Sequence, residues 1–170
     1  LQSLEELSAA RAGYIDGARF ILSQKNETRP HLGSVADYVN VAPEYERAVE
    51  ACLGNLLQYV VVSRHVHATE WLEHIRKEQA GRCGFLVVDD SLVETAQSEN
   101  ITPAELVSVE SVVKVEGSYA SAIREAIRVV AGQIAIAETP EQAIRVAGQT
   151  SQQIVTLSGD IFSGSRLVCG

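Results

Sequence analysis

One order of secondary-structure elements occurs twice in this sequence, and this repeat limits the fold more than any other feature. The first copy reads as helix, strand, helix and strand in AVEACLGNLLQ, YVVV, HATEWLEHIRK and FLVVD. The second copy has the same order in AIREAIRVVAG, IAIA, EQAIRVAGQ and IVTL. Each strand–helix–strand stretch predicts a parallel strand pair, because a helical crossover returns the chain in the same direction. The sequence therefore predicts a mixed α/β fold made of two similar small α/β subdomains.

The segments around the repeat predict the domain boundaries. The opening LQSLEELSAAR has its leucines on one helical stripe, which favours a short stub of coiled-coil arm over residues 1–12. The first subdomain is expected over residues 13–90 and the second over residues 112–170. A stretch rich in Ser, Asn, Asp and Pro lies between them, so residues 91–111 are expected to form a connecting segment.

The second copy of the repeat has clear signals at its helix start and after its last strand. Thr139 and Pro140 fit the cap and the first position of a helix. The glycines and the Ser-Gly-Ser turn of SGDIFSGSRLVCG predict a hairpin, with residues 166–169 as the returning strand. In the first copy, the helix before FLVVD is expected to stop at Gly81.

Composition disfavours several classes of protein. No apolar run reaches the length of about 18 residues that a membrane span needs, and the first residues lack the pattern of a signal peptide. Cys52, Cys83 and Cys169 are widely spaced and form no CxxC pair. We therefore expect reduced thiols in the cytoplasm, and neither a disulfide framework nor a zinc ribbon.

The charge of the chain disfavours nucleic-acid binding by the surface as a whole, since the formal net charge is −8. Basic residues are in local excess near the start of the chain, where Arg11, Arg19, Lys25 and Arg29 outnumber the acidic Asp16 and Glu27. A solvated polar face is the simpler interpretation of this weak patch, and a local DNA contact is the alternative.

Two groups of residues have the spacing of ligand sites without the full motifs. His67, Glu70 and His74 share a helical face, with His65 just before them, but HEXXH and a nearby cysteine are absent. The glycines of SGDIFSGSRLVCG are followed by a strand-like segment, whereas a phosphate cradle needs a helix N-terminus. A solvated helix face and tight turns are therefore favoured over a metal site and a phosphate site, and no cofactor is expected.

Carboxylates follow two of the expected strands, where α/β enzymes place working residues. Asp89 and Asp90 end FLVVD, and Asp160 follows IVTL. No nucleophile motif such as GxSxG accompanies them, so we expect no enzyme. The competing class is a small metabolite- or nucleotide-binding α/β domain with a pocket near Asp89 or Asp160.

Five segments in the same order resemble the hinge domain of bacterial SMC proteins, the chromosome-segregation and condensin ATPases. They are AGYIDGARFIL, GSVADYVNVAPEYERAVEACLGNLLQYVVV, HATEWLEH, GRCGFLVVD and IVTLSGDIFSGSRLVCG. They resemble the family's Gly-Tyr-x-x-Gly near the coil exit, its ADYV-x-V strand, its GR-x-x-FL and its final VTL-x-GD. The resemblance runs from about Gly13 to Gly170.

The resemblance implies a homodimerisation hinge that joins two long coiled-coil arms in a ring-like complex. Two hinges would pair through sheet edges of opposite subdomains, and glycines would let the backbones approach. The glycines that match the family motifs are Gly81, Gly84, Gly159 and Gly170. Bulky residues at these four positions are expected to split the dimer and to leave each monomer folded. Arg166 departs from the family, where many members carry a small residue or glycine.

The resemblance also implies where the hinge acts and what it contacts. The parent protein would be cytoplasmic and nucleoid-associated, and its ATPase activity would belong to separate head domains. Weak, local DNA contact is expected near the coil junction, through Lys25, Arg29 and Arg64. Neither a membrane nor a small-molecule substrate is expected as a partner. A stable dimer of the isolated chain would distinguish a hinge from a metabolite-binding domain.

Overall fold

The computed structural model describes most of the chain, namely residues 16–24, 27, 29–89, 91 and 102–170. The expected coiled-coil stub over residues 1–12 lies outside the described residues, as do Lys25 and Asp90. Helices and strands are mixed throughout the described chain, and the expected α/β class is confirmed. No helix among the described residues is both long enough and apolar enough to cross a membrane.

The described residues form six α-helices and nine β-strands. The helices are α1 (Asp16–Leu22), α2 (Glu46–Leu57), α3 (His65–Glu78), α4 (Val109–Val112), α5 (Ala120–Ala131) and α6 (Pro140–Ala147). The strands are β1 (Val39–Val41), β2 (Val60–Val62), β3 (Phe85–Val87), β4 (Val107–Ser108), β5 (Val113–Val115), β6 (Ile134–Ala137), β7 (Gln153–Thr156), β8 (Ile161–Ser163) and β9 (Leu167–Cys169). Short 3₁₀ turns cover Val35–Tyr38 and Pro43–Tyr45.

These elements form two compact units. Unit 1 comprises Leu1–Asp37 and Gln58–Leu92, and unit 2 comprises Tyr38–Leu57 and Val93–Gly170. The chain therefore passes from unit 1 to unit 2 and back before it completes unit 1. The boundaries expected from the sequence contain only one such passage, after residue 90.

Unit 1 is built on the first strand–helix–strand crossover. Its strands β2 and β3 pair in parallel with Val61 opposite Leu86, as the sequence predicts, and α3 connects them. Every residue of β2 is buried, which explains why the strand is an unbroken run of valines. The core of the unit consists of Ala18, Ile21, Val60, Val62, Ala68, Trp71 and Ile75.

Helix α3 ends at Glu78, earlier than the expected stop at Gly81. Gln79 follows in the left-handed conformation with a φ of 53°, and its N–H donates to the carbonyls of Ile75 and Arg76. A non-glycine residue thus occupies the position that glycine usually takes at a helix end. Gly81 has a φ of 92° and belongs to the turn that leads to β3.

Unit 2 contains a five-stranded sheet in the order β4-β6-β7-β8-β9. Strands β6 and β7 are parallel and are joined by α6, and the expected hairpin of β8 and β9 follows. The Thr139 Oγ1 accepts a hydrogen bond of 3.2 Å from the Gln142 N–H, and Pro140 is the first residue of α6. The crossover, the helix cap and the hairpin are therefore confirmed.

Residues 38–57 pack within unit 2, although the sequence interpretation assigned them to the first subdomain. Helix α2 contacts β7 and α5, and β1 pairs with β5 so that Val39 lies opposite Val115. The helical period of AVEACLGNLLQ identifies the apolar side of α2, but it carries no information about which sheet receives that side. The described residues 102–111, expected as a connector, also belong to unit 2 and contain β4.

Candidate functional site

Strand β9 is an edge strand, and no other strand of the described residues pairs with its outer side. Leu167 and Val168 are 68% and 64% exposed, and Cys169 is exposed as well. Val168 is paired with the buried Phe162, so the two side chains project from the same face of the sheet, while Leu167 and Cys169 project from the other. Edge strands are usually protected by charged residues, proline or bulges. β9 consists instead of exposed, uncharged side chains on both faces.

Strand β3 is an edge strand of unit 1. The Val60 N–H donates to the Gly84 carbonyl, and the Val88 N–H donates to the Val62 carbonyl. Because backbone groups alternate in direction along a strand, those of Phe85 and Val87 face away from β2. No described strand pairs with that outer side. All three residues of β3 are apolar and half-buried, and Phe85 and Val87 also pack against the core of unit 1.

The four glycines of the expected interface lie beside these edges, two in each unit. Gly81 and Gly84 precede β3, Gly159 lies in the turn before β8, and Gly170 follows β9. This placement brings them to the strand ends, and whether they line an interface stays a prediction.

Two of these glycines, Gly84 and Gly159, also have a role within the chain. A β-carbon at Gly84 would overlap the ring of Tyr59, and one at Gly159 would lie 3.2 Å from the Arg47 carbonyl oxygen of α2. Gly159 also has a φ of 94°, which side chains rarely tolerate. The expectation that bulky residues at all four positions leave the monomer intact therefore conflicts with the structure.

The interface residues predicted from the sequence were the four glycines, and the residues of the strands beside them were not among the predicted residues. The residues that form the edges are Phe85, Leu86, Val87, Leu167, Val168 and Cys169. A signal was present in the sequence, since both FLV and LVC are uncharged runs close to glycine. What the sequence lacked was the strand order, which alone shows that both runs lie at sheet edges.

The three cysteines differ in their chemical accessibility. Burial raises the pKa of Cys52 to about 12. Burial also raises the pKa of Cys83 to about 11, partly offset by a backbone hydrogen bond at Val60. These two thiols are therefore protonated and unreactive at neutral pH. Cys169 lies exposed on β9, and its thiol reports directly on whether that strand is covered.

Two of the three residues expected to contact DNA, Arg29 and Arg64, lie among the described residues, and both lie beside α3. The Arg29 guanidinium lies 5.3 Å above the Trp71 ring and borders a groove of about 260 Å³ beside the second half of α3. Arg64 is the exposed residue at the start of α3. With a rise of about 1.5 Å per residue, His74 of the same groove is about 15 Å along the helix from Arg64. Arg29 and Arg64 thus lie beside different turns of α3, and whether both contact DNA stays a prediction.

The histidines of α3 are engaged in local contacts. The His67 Nδ1 lies 3.0 Å from the Ser63 hydroxyl, and the His74 ring lies 5.6 Å from Phe20 and 5.8 Å from Trp71. Among the described residues, no three His, Cys, Asp or Glu side chains come together as a metal site would require. The helical spacing of His67, Glu70 and His74 therefore does not assemble a metal site in the part of the chain that is described.

The carboxylates at the strand ends, Asp89 and Asp160, form hydrogen bonds with residues close to them in the chain. Asp89 accepts hydrogen bonds from the Ser91 hydroxyl and N–H, and these bonds lower its pKa, with a smaller contribution from the charges of Arg64 and His65. The Asp160 N–H donates to the Thr156 hydroxyl at 3.1 Å. The groove beside α3 is lined by Arg29, Glu70, Glu73, His74 and Lys77, and neither carboxylate is among its lining residues. These observations do not favour a metabolite pocket at the strand ends.

Comparison with known proteins assigns this fold. Residues 29–147 match the model of the family described as "SMC proteins Flexible Hinge Domain". The chain is 25% identical over 175 residues to the chromosome partition protein Smc of Halothermothrix orenii, covering all of this chain and 14% of that protein. It is 28% identical over 177 residues to the Smc protein of Myxococcus xanthus, with the same two coverages.

Solved structures have the same architecture. The asymmetric dimer of the Geobacillus stearothermophilus SMC hinge domain matches with a TM-score of 0.77 and 24% identity, over 98% of this chain and 69% of that one. The Pyrococcus furiosus Smc hinge domain with an extended coiled coil matches with a TM-score of 0.71 and 21% identity, over 98% and 60% of the two chains.

The fold, with β3 and β9 each at the edge of a sheet, is that of a two-unit α/β domain of the hinge class. With the family model matching more than half of its length, the chain belongs to the family of SMC flexible hinge domains. It spans 14% of the length of the Smc relatives named above.

Proposed function

We propose that this chain is a homodimerisation hinge, in which the open edges of β3 and β9 pair with those of a second copy. The observation that carries the proposal is β9, whose Leu167 and Val168 remain exposed on opposite faces of the sheet. The monomer gains nothing from apolar residues there, whereas a partner strand and its neighbours would cover both faces. Membership of the hinge family and similarity to the Geobacillus hinge dimer support a second copy as the partner.

Edge pairing is favourable on two grounds. The unpaired N–H and C=O groups of an edge strand form ladder hydrogen bonds with a partner strand. Complete burial of a Leu or Val side chain contributes about 1.5–3 kcal/mol. Because a two-fold dimer repeats every contact, Leu167 and Val168 contribute twice. A three-residue strand is short, so these apolar side chains are needed to make the contact stable.

In the full-length protein, the hinge would join the arms of two copies. The relatives are named chromosome partition proteins, and this chain is a small part of their length. We therefore propose a role in organising and segregating chromosomes within a cytoplasmic, nucleoid-associated complex. The hinge itself would be non-catalytic, with ATP hydrolysis in other domains, and DNA contact at Arg29 or Arg64 would be weak and local.

The proposal is tested by a matched pair of substitutions. Val168 on β9 and Val129 on α5 are 64% and 66% exposed, so a glutamate at either position leaves the buried core unchanged. Val168→Glu should convert the dimer into a monomer in sedimentation velocity, because it places a charge in the interface. Val129→Glu should leave the dimer unchanged. An equal effect of the two variants, or a wild-type monomer at all accessible concentrations, would contradict the proposal.

The native thiol of Cys169 provides an independent readout. In the Val168→Glu variant, an alkylating reagent should modify Cys169 rapidly. In the wild-type dimer, modification should be slower, because the partner covers β9. Cys52 and Cys83 serve as internal controls, since burial raises their pKa values and keeps both thiols unreactive.

A further inference from the structure

Residues 81–83 form the turn that leads into β3, here called the β3 turn, and helix α1 packs directly on it. Gly17 is buried in α1. A β-carbon on Gly17 would approach the Arg82 carbonyl oxygen more closely than 3.0 Å, a separation that real β-carbons essentially never show. The same β-carbon would lie 3.2 Å from that of Cys83. The backbones of α1 and the β3 turn can therefore approach this closely only because Gly17 has no side chain.

The contact is also close when it is viewed from the β3 turn. A β-carbon on Gly81 would lie 3.3 Å from that of Asp16 and 3.4 Å from the Gly17 nitrogen. Gly84 follows the turn, and its carbonyl accepts a hydrogen bond of 3.0 Å from the Val60 N–H at the start of the pairing between β2 and β3. The β3 turn thus connects α1 to the first backbone hydrogen bond of the edge strand.

A similar arrangement occurs in unit 2. Gly159 lies in the turn before β8, and a β-carbon there would lie 3.2 Å from the carbonyl oxygen of Arg47 in the first turn of α2. It would also lie 3.7 Å from the β-carbon of Ala51. In each unit, the backbone of a helix therefore contacts a glycine-containing turn. That turn leads into β3 in unit 1 and into the hairpin of β8 and β9 in unit 2.

We propose that Gly17 is a positioning residue for the dimer, because it lets α1 pack on the β3 turn and so fixes the place of β3. A side chain on Gly17 would push the Arg82 carbonyl away from α1, since a backbone carbonyl cannot rotate aside as the end of a flexible side chain can. The displacement would pass through Gly84 into β3. The outward N–H and C=O groups of Phe85 and Val87 would then be out of position for hydrogen bonds to a partner. The inference rests on the proposed dimer, and it adds a residue that lies outside both edge strands.

The Cys83 thiol reports the position of the β3 turn within the monomer. Its side chain packs against the core of unit 1, and its Sγ donates to the Gly84 carbonyl at 3.2 Å. Displacement of the turn would expose this thiol to solvent and so to alkylating reagents. Mass mapping of the modified residues distinguishes Cys83 from the exposed Cys169.

Three substitutions separate a displaced turn from a general loss of stability. Gly17→Ala should weaken the dimer and accelerate alkylation of Cys83, each about tenfold, which corresponds to a moderate overpacking strain. Gly54→Ala adds the same methyl group to α2, where a β-carbon meets nothing within 4 Å, and should cause neither effect. Ala68→Gly, at a buried position in the first half of α3, should lower the ratio of folded to unfolded chains at least about fivefold. It should leave the affinity between folded copies unchanged.

Sedimentation equilibrium measures the affinity, and timed alkylation measures the exposure of Cys83. A Gly17→Ala dimer as tight as wild type overturns the inference. So does a Gly17→Ala variant whose affinity and alkylation rate match those of Ala68→Gly. If circular dichroism shows that Gly17→Ala is unfolded, Gly81→Ala takes its place, since it approaches the same contact with less overlap and should produce the same two effects. Loss of the fold in both variants also overturns the inference, because the contact would then maintain the whole unit.

The dimer and the positioning role of Gly17 fail in distinguishable ways. If wild-type protein sediments as a monomer at all accessible concentrations, the proposed function fails, whatever the alkylation of Cys83 shows. If wild type is a dimer that Val168→Glu disrupts and Gly17→Ala does not weaken, the hinge stands and the positioning role of Gly17 is wrong.

Discussion

The two units contain the same crossover but complete their sheets differently. In unit 1, β3 is the last strand, and its Phe85 and Val87 pack against the core as well as forming an open edge. In unit 2, a hairpin adds β8 and β9 to the parallel pair, and all of β9 is exposed. The edge of unit 1 therefore serves both the fold and the proposed dimer. The edge of unit 2 is available for association alone.

Unit 1 can leave the outer side of β3 without a partner strand because β2 forms backbone hydrogen bonds on its other side. A two-stranded sheet is marginally stable in water. Here the Leu32 N–H donates to the Val61 carbonyl at 2.8 Å, and the Val61 N–H donates to the Gly33 carbonyl at 2.9 Å. Ser34 forms a further antiparallel bridge with Val60. Residues 32–34 thus supply backbone partners to the side of β2 that faces away from β3, whereas in unit 2 additional strands extend the sheet.

The largest expected difference in monomer stability is between side-chain truncations on β3 and on β9. Phe85→Ala should lower the free energy of unfolding by about 2 kcal/mol, less than the 3–5 kcal/mol typical of a fully buried phenylalanine. Val168→Ala should change it by less than about 0.5 kcal/mol, because the side chain is exposed in the monomer. Both should weaken the dimer.

Urea denaturation below the dimer dissociation constant measures stability, and sedimentation equilibrium measures association. Low concentration matters because dimerisation itself stabilises the fold. Equal losses of monomer stability in the two variants would contradict the distinction between a shared edge and an edge used for association alone.

A smaller difference is expected between glycines at the two edges. Gly84→Ala should destabilise the monomer by about 1–2 kcal/mol, because its β-carbon forces the Tyr59 ring to move. Gly170→Ala should cost less than about 0.5 kcal/mol, since the Asp160 carboxylate that it meets can rotate away. Thermal unfolding of both variants at low concentration measures the difference. The distinction fails if Gly170→Ala is the more destabilising of the two.

The smallest effect concerns DNA. Because Arg29 and Arg64 lie beside different turns of α3, each should make its own phosphate contact, and each charge reversal should lower the affinity for duplex DNA by only a few fold. Reversal of Lys25, Arg29 and Arg64 together should remove binding, whereas Lys114→Glu in unit 2 is the control. Fluorescence anisotropy across a salt series provides the measurement. Binding that ignores salt, or that survives the triple reversal, would exclude these residues.

The local parts of the fold were predictable from the sequence. Both parallel pairs, the Thr139 cap and the final hairpin follow from residue types and spacing within short windows. Such features depend on neighbours in the chain, so the sequence alone determines them. The order of five motifs also indicated the hinge family, which the family match confirms.

Only the tertiary structure assigned α2 and β1 to unit 2 and placed β3 and β9 at sheet edges. It likewise explained Gly84 through Tyr59 and Gly159 through the Arg47 carbonyl, and it placed the Arg29 guanidinium over Trp71. The physical reason is the same in each case. An amphipathic pattern shows which side of a helix is buried, and a glycine indicates a position where space or backbone conformation is restricted. Neither identifies the residues that pack there, because those come from segments far apart in the chain.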